Sequence, residues 1–366
     1  MSQLGVALMT MREMGEPMPK ILEAVADAGY EGVEFVDRMD HRMDVEAVDE
    51  TAEALERTGL ESIGVHVWLH ELEEEMPALI DKYSKLDCDT FVVPYHPDSI
   101  LRTEVRLERL VDRIRSVGER LDERGYDLLY HPNHWDMVPF FDGPVLGQLP
   151  SLRLTDRLDP ALRRYDADGV RKSGVKPIDE FRRVENELTR WENRVLDRLF
   201  IRAGVQEDNS IGELMQNTPF GYIVTETDPD LVNFQLDTAF YLQQGYSPGE
   251  VFDHLGDRVK SIHAKDIDLD GYTPGSWPSF VDGGEGDLDY KEVADAARRN
   301  DIEWVLYENG HATDPVESIR KGMEQLRAAG LEGRAHRSTD REGADDPDTL
   351  KIPTKSRPVR QSEADR

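Results

Sequence analysis

Hydrophobic and polar positions along the chain follow a repeating order of short apolar runs and longer amphipathic stretches. The first apolar run covers residues 4–9, and the first amphipathic stretch covers residues 18–28 and ends before Gly29. Short apolar runs bounded by turn residues predict β-strands, whereas apolar residues spaced three and four apart predict helices. A glycine directly after the periodic stretch is typical of a helix C-terminus. The chain is therefore predicted to begin with one strand and one helix.

The same order continues and predicts an α/β protein with eight strands. Strands that alternate with helices indicate parallel strands joined by crossover helices. Eight such units favour a closed (β/α)8 TIM barrel over an open doubly wound sheet, and the sequence lacks the Gly-x-Gly-x-x-Gly turn of dinucleotide-binding sheets. After the first, the strands are predicted at residues 32–36, 62–67, 90–93, 127–130, 231–236, 259–266 and 304–307, with early helices at 45–57, 72–86 and about 104–124.

Two segments depart from this repeat. Roughly a hundred residues separate Tyr130 from Val232, many more than a strand-to-helix connection needs. Residues 178–201 within them have helical apolar spacing among many Arg and Glu, which predicts a helical insertion at about 143–205 between strands five and six. This insertion caps the barrel mouth, contacts a second subunit or decorates the surface. Residues 334–366 lack periodic apolar positions and are predicted to be a disordered C-terminal tail, so the barrel domain is 1–333.

Composition excludes several classes of function. A net charge of −31 repels nucleic acid, so we expect no nucleic-acid partner. No apolar run approaches the roughly 20 residues of a membrane span, and no signal-peptide pattern is visible. The single Cys88 rules out a disulfide framework and fits a reducing compartment, so we expect a cytoplasmic protein without a membrane partner. Acid-rich surfaces also suit concentrated salt, which makes a halophilic cytoplasm a further expectation.

Polar side chains stand at the ends of three successive predicted strands. Asp237 follows strand six, His263 and Lys265 lie at the end of strand seven, and Glu308 follows strand eight. Carboxyl ends of barrel strands lie on one face, where TIM-barrel active sites form, so these side chains should meet. Oxygen and nitrogen donors without a thiolate suit a divalent Mn, Mg, Co or Zn ion. The sequence therefore predicts a metal site at this face.

Three stretches carry a recognisable pattern: Gln-Leu-Asp-Thr at 235–238, Ser-Ile-His-Ala-Lys-Asp at 261–266 and Gly-Glu-Gly-Asp-Leu-Asp at 284–289. The opening segment 24–34 fits as well. With these stretches the sequence resembles the xylose isomerase-like TIM barrel superfamily, the sugar phosphate isomerases/epimerases, whose relatives include inosose dehydratases and hydroxypyruvate isomerases. The resemblance covers about 4–137 and 210–330, so the insertion and the tail lie outside it.

The resemblance implies a metal held by an acid after strand five together with Asp237, His263 and Glu308. Strand five departs from the family pattern. Relatives commonly read His-Asn-His-x-aromatic-Glu, whereas residues 131–136 of this chain read His-Pro-Asn-His-Trp-Asp. Aligned without a gap, Asp136 becomes the fourth ligand, and His134 is a competing ligand. Aspartate is one methylene shorter than glutamate, so it would have to approach from a different backbone position.

The resemblance also implies an isomerase or epimerase that acts on a sugar or polyol-derived keto substrate. The metal would acidify the C–H bond beside the carbonyl, and the reaction would pass through a metal-bound enediolate. Glu308 and Asp136 are the candidates that remove and return the proton, and Lys265 would partner substrate oxygens.

Further residues near strand ends are candidates for contact with the small-molecule sugar substrate: Glu34, His66, His131 and His134. Two alternative functions remain open. One is a lyase of the same fold, similar to inosose dehydratase, and the other is a barrel that binds a sugar without turnover. Assembly into a homo-oligomer also stays open.

Overall fold

The computed structural model describes residues 2–37, 43–94, 101, 104–137, 210–270 and 279–332. The predicted helical insertion at 143–205 and the predicted tail at 334–366 lie outside these residues. Both therefore remain predictions.

Ten strands are formed by the described residues, and eight of them close into a parallel barrel. The strands are β1 (Gln3–Ala7), β2 (Gly32–Val36), β3 (Glu61–His66), β4 (Thr90–Val93), β5 (Asp127–Tyr130), β6 (Asn233–Asp237), β7 (Val259–Ala264), β8 (Asp266–Asp268), β9 (Ser279–Val281) and β10 (Trp304–Tyr307). The barrel order is β1-β10-β7-β6-β5-β4-β3-β2, which confirms the predicted TIM barrel. Strands β8 and β9 pair separately as an antiparallel hairpin that the sequence did not predict.

Helices lie between the strands, and side-chain caps begin several of them. Asp289 accepts from the backbone N–H of Lys291 and Glu292, and Asp314 accepts from that of Glu317, so each cap satisfies N–H groups that the first helical turn leaves unpaired. The helices are α1 (Met18–Asp27), α2 (Val48–Thr58), α3 (Leu69–Tyr83), α4 (Glu104–Asp122), α5 (Ile211–Asn217), α6 (Pro219–Glu226), α7 (Thr238–Gln243), α8 (Pro248–Leu255), α9 (Tyr290–Arg299) and α10 (Pro315–Ala328). None of the helices in the described part of the chain is both long and apolar enough to cross a membrane.

Strand ends differ from the sequence expectation at two places that matter for the site. The first strand stops at Ala7, and a 3-10 turn, Leu8–Met11, follows it. The seventh strand stops at Ala264, because Asp266 belongs to the hairpin instead.

An apolar plug closes the N-terminal end of the barrel interior. Ile63, Trp304 and Leu306 form a buried cluster separate from the main core. Gly32 makes room for it, since a Cβ there would lie 2.9 Å from both Ile63 and Trp304 side-chain atoms. Polar side chains further along the same strands are consequently confined to the C-terminal half of the barrel.

Candidate metal centre and active site

The candidate site lies where β6, β7 and β10 end. Asp237 is opposite His263 in the parallel register, and Leu306 of β10 is also opposite His263, so Glu308 stands two residues further along. Side chains two apart on a strand share a face, which brings these groups together inside the barrel mouth. Asp237, His263 and Glu308 are respectively 0%, 1% and 8% exposed.

Lys265 links the two carboxylates of this site. Its Nζ atom lies 2.9 Å from Asp237 Oδ2 and 2.9 Å from Glu308 Oε1. The same ammonium lies 5.2 Å from the ring centre of Phe240 and 4.6 Å from that of Phe280. Aromatic faces attract a cation and keep water away from it. Lys265 is therefore a buried cation enclosed by two acids and two aromatic rings.

Burial and charge act in opposite directions on these groups. Burial lowers the pKa of Lys265, but the charges of Asp237 and Glu308 outweigh it and raise that pKa overall. Burial raises the pKa of Glu308, yet the Lys265 and His263 charges bring it well below its ordinary value. Burial dominates at Asp237, whose pKa is raised despite Lys265. Charges buried in this way persist only where partners compensate them.

His263 stands between two acids. Its Nε2 atom lies 2.7 Å from Glu34 Oε2, and its Nδ1 atom lies 2.6 Å from Glu308 Oε2. The Nε2 contact is a hydrogen bond, whereas the Nδ1 contact is not aligned as one. Burial lowers the pKa of His263, but the charges of Glu34 and Glu308 prevail and raise it to about 10. The two neighbouring carboxylates therefore favour the protonated form of His263.

A polar layer lies beneath the site, around Glu34 of β2. Gln235 Nε2 donates to Glu34 Oε1 and, over 2.9 Å, to Ser261 Oγ. His66 Nε2 lies 2.7 Å from Gln235 Oε1 and 3.1 Å from Glu34 Oε2. Glu34 is fully buried, so the structure places this predicted substrate contact inside the barrel, against His263.

The turn after β5 holds the Asp136 carboxylate in local hydrogen bonds. Its Oδ1 accepts a hydrogen bond of 2.6 Å from the Tyr130 hydroxyl, and its Oδ2 accepts one of 2.9 Å from the Asn133 backbone N–H. The 3-10 turn His134–Met137 thus ties both carboxylate oxygens to its own neighbourhood. Among the described residues, the acid and histidine groups close enough to share an ion do not include Asp136, His134 or Glu308, although Glu308 contacts His263 and Lys265 directly.

His131, predicted as a substrate contact, is also one of the candidate ligands. One donor atom from each of His131, Asp237 and His263 lies within 4.8 Å of the others, and the same holds for Glu34, His66 and His263. Both ring nitrogens of His131 are buried and have no hydrogen-bond partner among the residues described. Burial and the charges of His263 and His66 hold the pKa of His131 well below its ordinary value, which favours the neutral ring. A neutral imidazole, a second imidazole and carboxylates fit a divalent cation.

Asp266 builds the loop that borders the site. Its Oδ2 accepts from the backbone N–H of Gly284 at 2.8 Å and of Gly286 at 3.3 Å, and its Oδ1 accepts from that of Leu288 at 3.0 Å. A Cβ on Gly286 would lie 2.4 Å from Asp266 Oδ1, so only glycine fits there. The sequence motifs at 261–266 and 284–289 thus form one structural unit.

A cavity of about 480 Å³ is lined by residues that follow β1 and β10 in the sequence. Arg12 and His311 line it together with Glu13, Ala312 and Thr313. Arg12 has weak partners, a 3.7 Å contact to Glu13 and another of 3.7 Å to the Met9 sulfur. The guanidinium therefore has N–H donors available for a further acceptor.

Sequence reasoning missed several residues of the site. Gln235 stands two positions before Asp237, and period-two alternation could have placed it on the inward face. Phe240 and Phe280 reach Lys265 from a helix and from the unpredicted hairpin, and Arg12 follows the unpredicted 3-10 turn. No local pattern marks such contacts.

No protein-family model matches the sequence. Two curated relatives, both inosose dehydratases of Lacticaseibacillus casei and one of them from strain BL23, are 26% identical to this chain over 169 residues. The matched region covers 41% of this chain and just over half of each relative, 55% and 54%.

Solved structures resemble the chain over nearly its whole length. A sugar phosphate isomerase/epimerase from Parabacteroides distasonis ATCC 8503 has a TM-score of 0.58 at 15% identity and covers 90% of this chain and 96% of its own. The probable 3-DHS dehydratase AsbF of Bacillus anthracis, involved in petrobactin synthesis, has a TM-score of 0.56 at 14% identity, with 89% and 98% covered. An IOLI protein with a bound zinc atom has a TM-score of 0.55 at 13% identity, with 89% and 97% covered. The chain therefore shares the TIM-barrel fold of these structures, as its sequence pattern predicted.

Proposed function

We propose that the protein is a divalent-metal-dependent isomerase that moves a proton beside the carbonyl of a sugar or polyol-derived keto substrate. The observation that carries this proposal is the buried convergence of Asp237, His263, Glu308 and Lys265 at the active face of the barrel. The isomerases and epimerases among the structural neighbours support it, because they share the fold.

Asp237, His263 and Glu308 would hold the metal, with His131 as the fourth side chain. When bound, a divalent ion would supply Lewis-acid polarisation of the substrate carbonyl. The bound zinc of the IOLI protein supports this part of the proposal.

The residues of the chain would perform the proton transfer. Glu308 reaches His263 through one oxygen and Lys265 through the other, so it is held in one orientation and can accept the proton. Lys265 Nζ would donate to the substrate oxygen on which negative charge develops. Phe240 and Phe280 would exclude water. Since Asp136 is tied into its own turn, we favour transfer on one face of the substrate over epimerisation by two opposed bases.

A lyase is the second candidate. Removal of the same proton can be followed by loss of a hydroxyl group, and the Lys265 ammonium could protonate that leaving group. The partial match to inosose dehydratases supports this alternative.

Proton NMR in D2O tests both candidates. The protein would be loaded in turn with Mn²⁺, Co²⁺ and Zn²⁺ and incubated with a panel of keto sugars and inososes. Deuterium gain at the carbon beside the carbonyl, without loss of water, supports the isomerase, and a dehydrated product supports the lyase. Glu308→Gln should abolish either signal. Binding of a panel compound without exchange or dehydration under all three metals would contradict both and leave a sugar-binding barrel.

A further inference from the structure

We propose that Glu34 is a positioning residue that orients His263 from inside the barrel and thereby sets the affinity of the candidate centre for a divalent metal. This inference rests on the proposed function, because it assigns His263 Nδ1 as the ligand atom. Glu34 had been expected to contact substrate. Its place below His263, and not beside the cavity, points to the different role.

The geometry fixes which nitrogen of His263 is available. Glu34 Oε2 accepts from His263 Nε2 over 2.7 Å, so the Nε2 proton remains on the side away from the mouth. His263 Nδ1 then faces the Glu308 carboxylate, 2.6 Å away, without a hydrogen bond to it. A carboxylate on the remote nitrogen of a metal-binding histidine fixes its tautomer and raises its strength as a ligand.

Glu34 itself is held by a set of donors. Gln235 Nε2 donates to its Oε1, while His66 Nε2 lies 3.1 Å from its Oε2. The Gln235 amide is oriented by Ser261 and by His66, which take its remaining contacts. An ionised carboxylate inside a barrel is costly unless hydrogen bonds satisfy it. The layer therefore keeps Glu34 charged and stationary under His263.

The same residues could be interpreted as a second metal site, since donor atoms of Glu34, His66 and His263 lie within 4.8 Å of one another. Hydrogen bonds already account for their short contacts, including the 2.7 Å bond from His66 to the Gln235 amide oxygen. Gln235 would have to leave Glu34 for an ion to enter. We therefore favour an orienting network, and metal stoichiometry decides between the two.

Glu34→Gln is the informative substitution because it keeps the shape and removes the charge. Gln235 and His263 donate to different oxygens of Glu34, and the amide keeps an oxygen at only one of these two positions, so one donor would lose its acceptor. Titration calorimetry with Co²⁺ and no substrate should show binding weaker by about 10- to 100-fold, the usual effect of removing such a partner. The visible spectrum of bound Co²⁺ should change as well. Asp37→Asn is the control, since Asp37 is a buried acid that contacts Lys82 and not His263, and its Co²⁺ affinity should match that of the wild type.

A measurement on the wild type keeps the test independent of how the variant folds. Nitrogen NMR of the histidine-labelled, Zn²⁺-loaded protein, assigned with His263→Gln, should show the His263 proton on Nε2. A proton on Nδ1, two bound ions per chain, or an unchanged affinity and spectrum in Glu34→Gln would each overturn the proposal. Failure of the wild type to bind any metal would instead overturn the proposed function and this inference with it.

Discussion

Replacing Lys265 by methionine tests whether the Lys265 ammonium and a bound metal ion compete to neutralise the same two carboxylates. The ammonium lies 2.9 Å from an oxygen of Asp237 and 2.9 Å from one of Glu308. Methionine fills a similar volume but leaves both acids without their cation. In the metal-free protein, the free energy of unfolding should therefore fall by about 3–5 kcal/mol, the cost of breaking a buried ion pair.

A divalent ion should restore much of this loss. It would neutralise Asp237 and Glu308 in place of Lys265, so the destabilisation should be smaller when the metal is saturating. Linkage requires that the difference appear as tighter metal binding by the variant. A difference of 1.4 kcal/mol corresponds to a tenfold gain in affinity, so we expect Lys265→Met to bind Mn²⁺ at least about tenfold more tightly. Turnover should nevertheless fall, because the proposed donor to the substrate oxygen is gone.

Urea unfolding of the wild type and of Lys265→Met, each in EDTA and in saturating Mn²⁺, gives the four free energies of unfolding that the comparison requires. Lys82→Met is the matched control, because Lys82 Nζ lies 3.1 Å from both oxygens of the buried Asp37, which is not among the candidate ligands. Its loss of stability should be equal with and without metal. An equal loss in Lys265→Met under the two conditions would refute competition between Lys265 and the metal.

Four further outcomes are expected. Asp136→Asn should lower the free energy of unfolding by about 1–3 kcal/mol, because one buried donor loses its acceptor. The metal content of this variant, measured by mass spectrometry, should stay unchanged. Loss of the metal would show that Asp136 is a ligand. Gly286→Ala should cost about 1–3 kcal/mol in urea unfolding through its clash with Asp266, and no loss would contradict the glycine requirement. Arg12→Gln should raise KM severalfold with kcat unchanged if Arg12 binds the substrate uniformly, and an unchanged KM would exclude it from the substrate site. The melting temperature should rise from low to molar KCl as salt screens the net charge of −31, and a flat or falling curve would remove the halophilic interpretation.

Barrel topology followed from the sequence because each strand and helix carries its own periodic pattern. The strands at residues 90–93, 127–130 and 304–307 occupy the predicted positions. The convergence of Asp237, His263 and Glu308 followed as well, since parallel strands end on one face. Their roles as ligands remain predictions.

Contacts between distant elements did not follow from the sequence. Glu34 and His263 meet across the barrel interior, and Asp136 turns toward Tyr130 because of the 3-10 turn after β5. Such pairings depend on side-chain direction and on turn geometry. Neither side-chain direction nor turn geometry produces a periodic pattern in a single sequence.

The hydrogen bonds from the 284–288 backbone to the Asp266 carboxylate restrict which segments can be exchanged between barrels of this kind. Lys265 belongs to the candidate site, and its neighbour Asp266 holds the backbone of Gly284, Gly286 and Leu288. A chimaera that receives the 284–289 segment from another barrel without a compatible acid at position 266 would leave those N–H groups unmatched. One that receives the acid without glycine at position 286 would meet a clash. The two stretches form one transplantable module, although about twenty residues of sequence separate them.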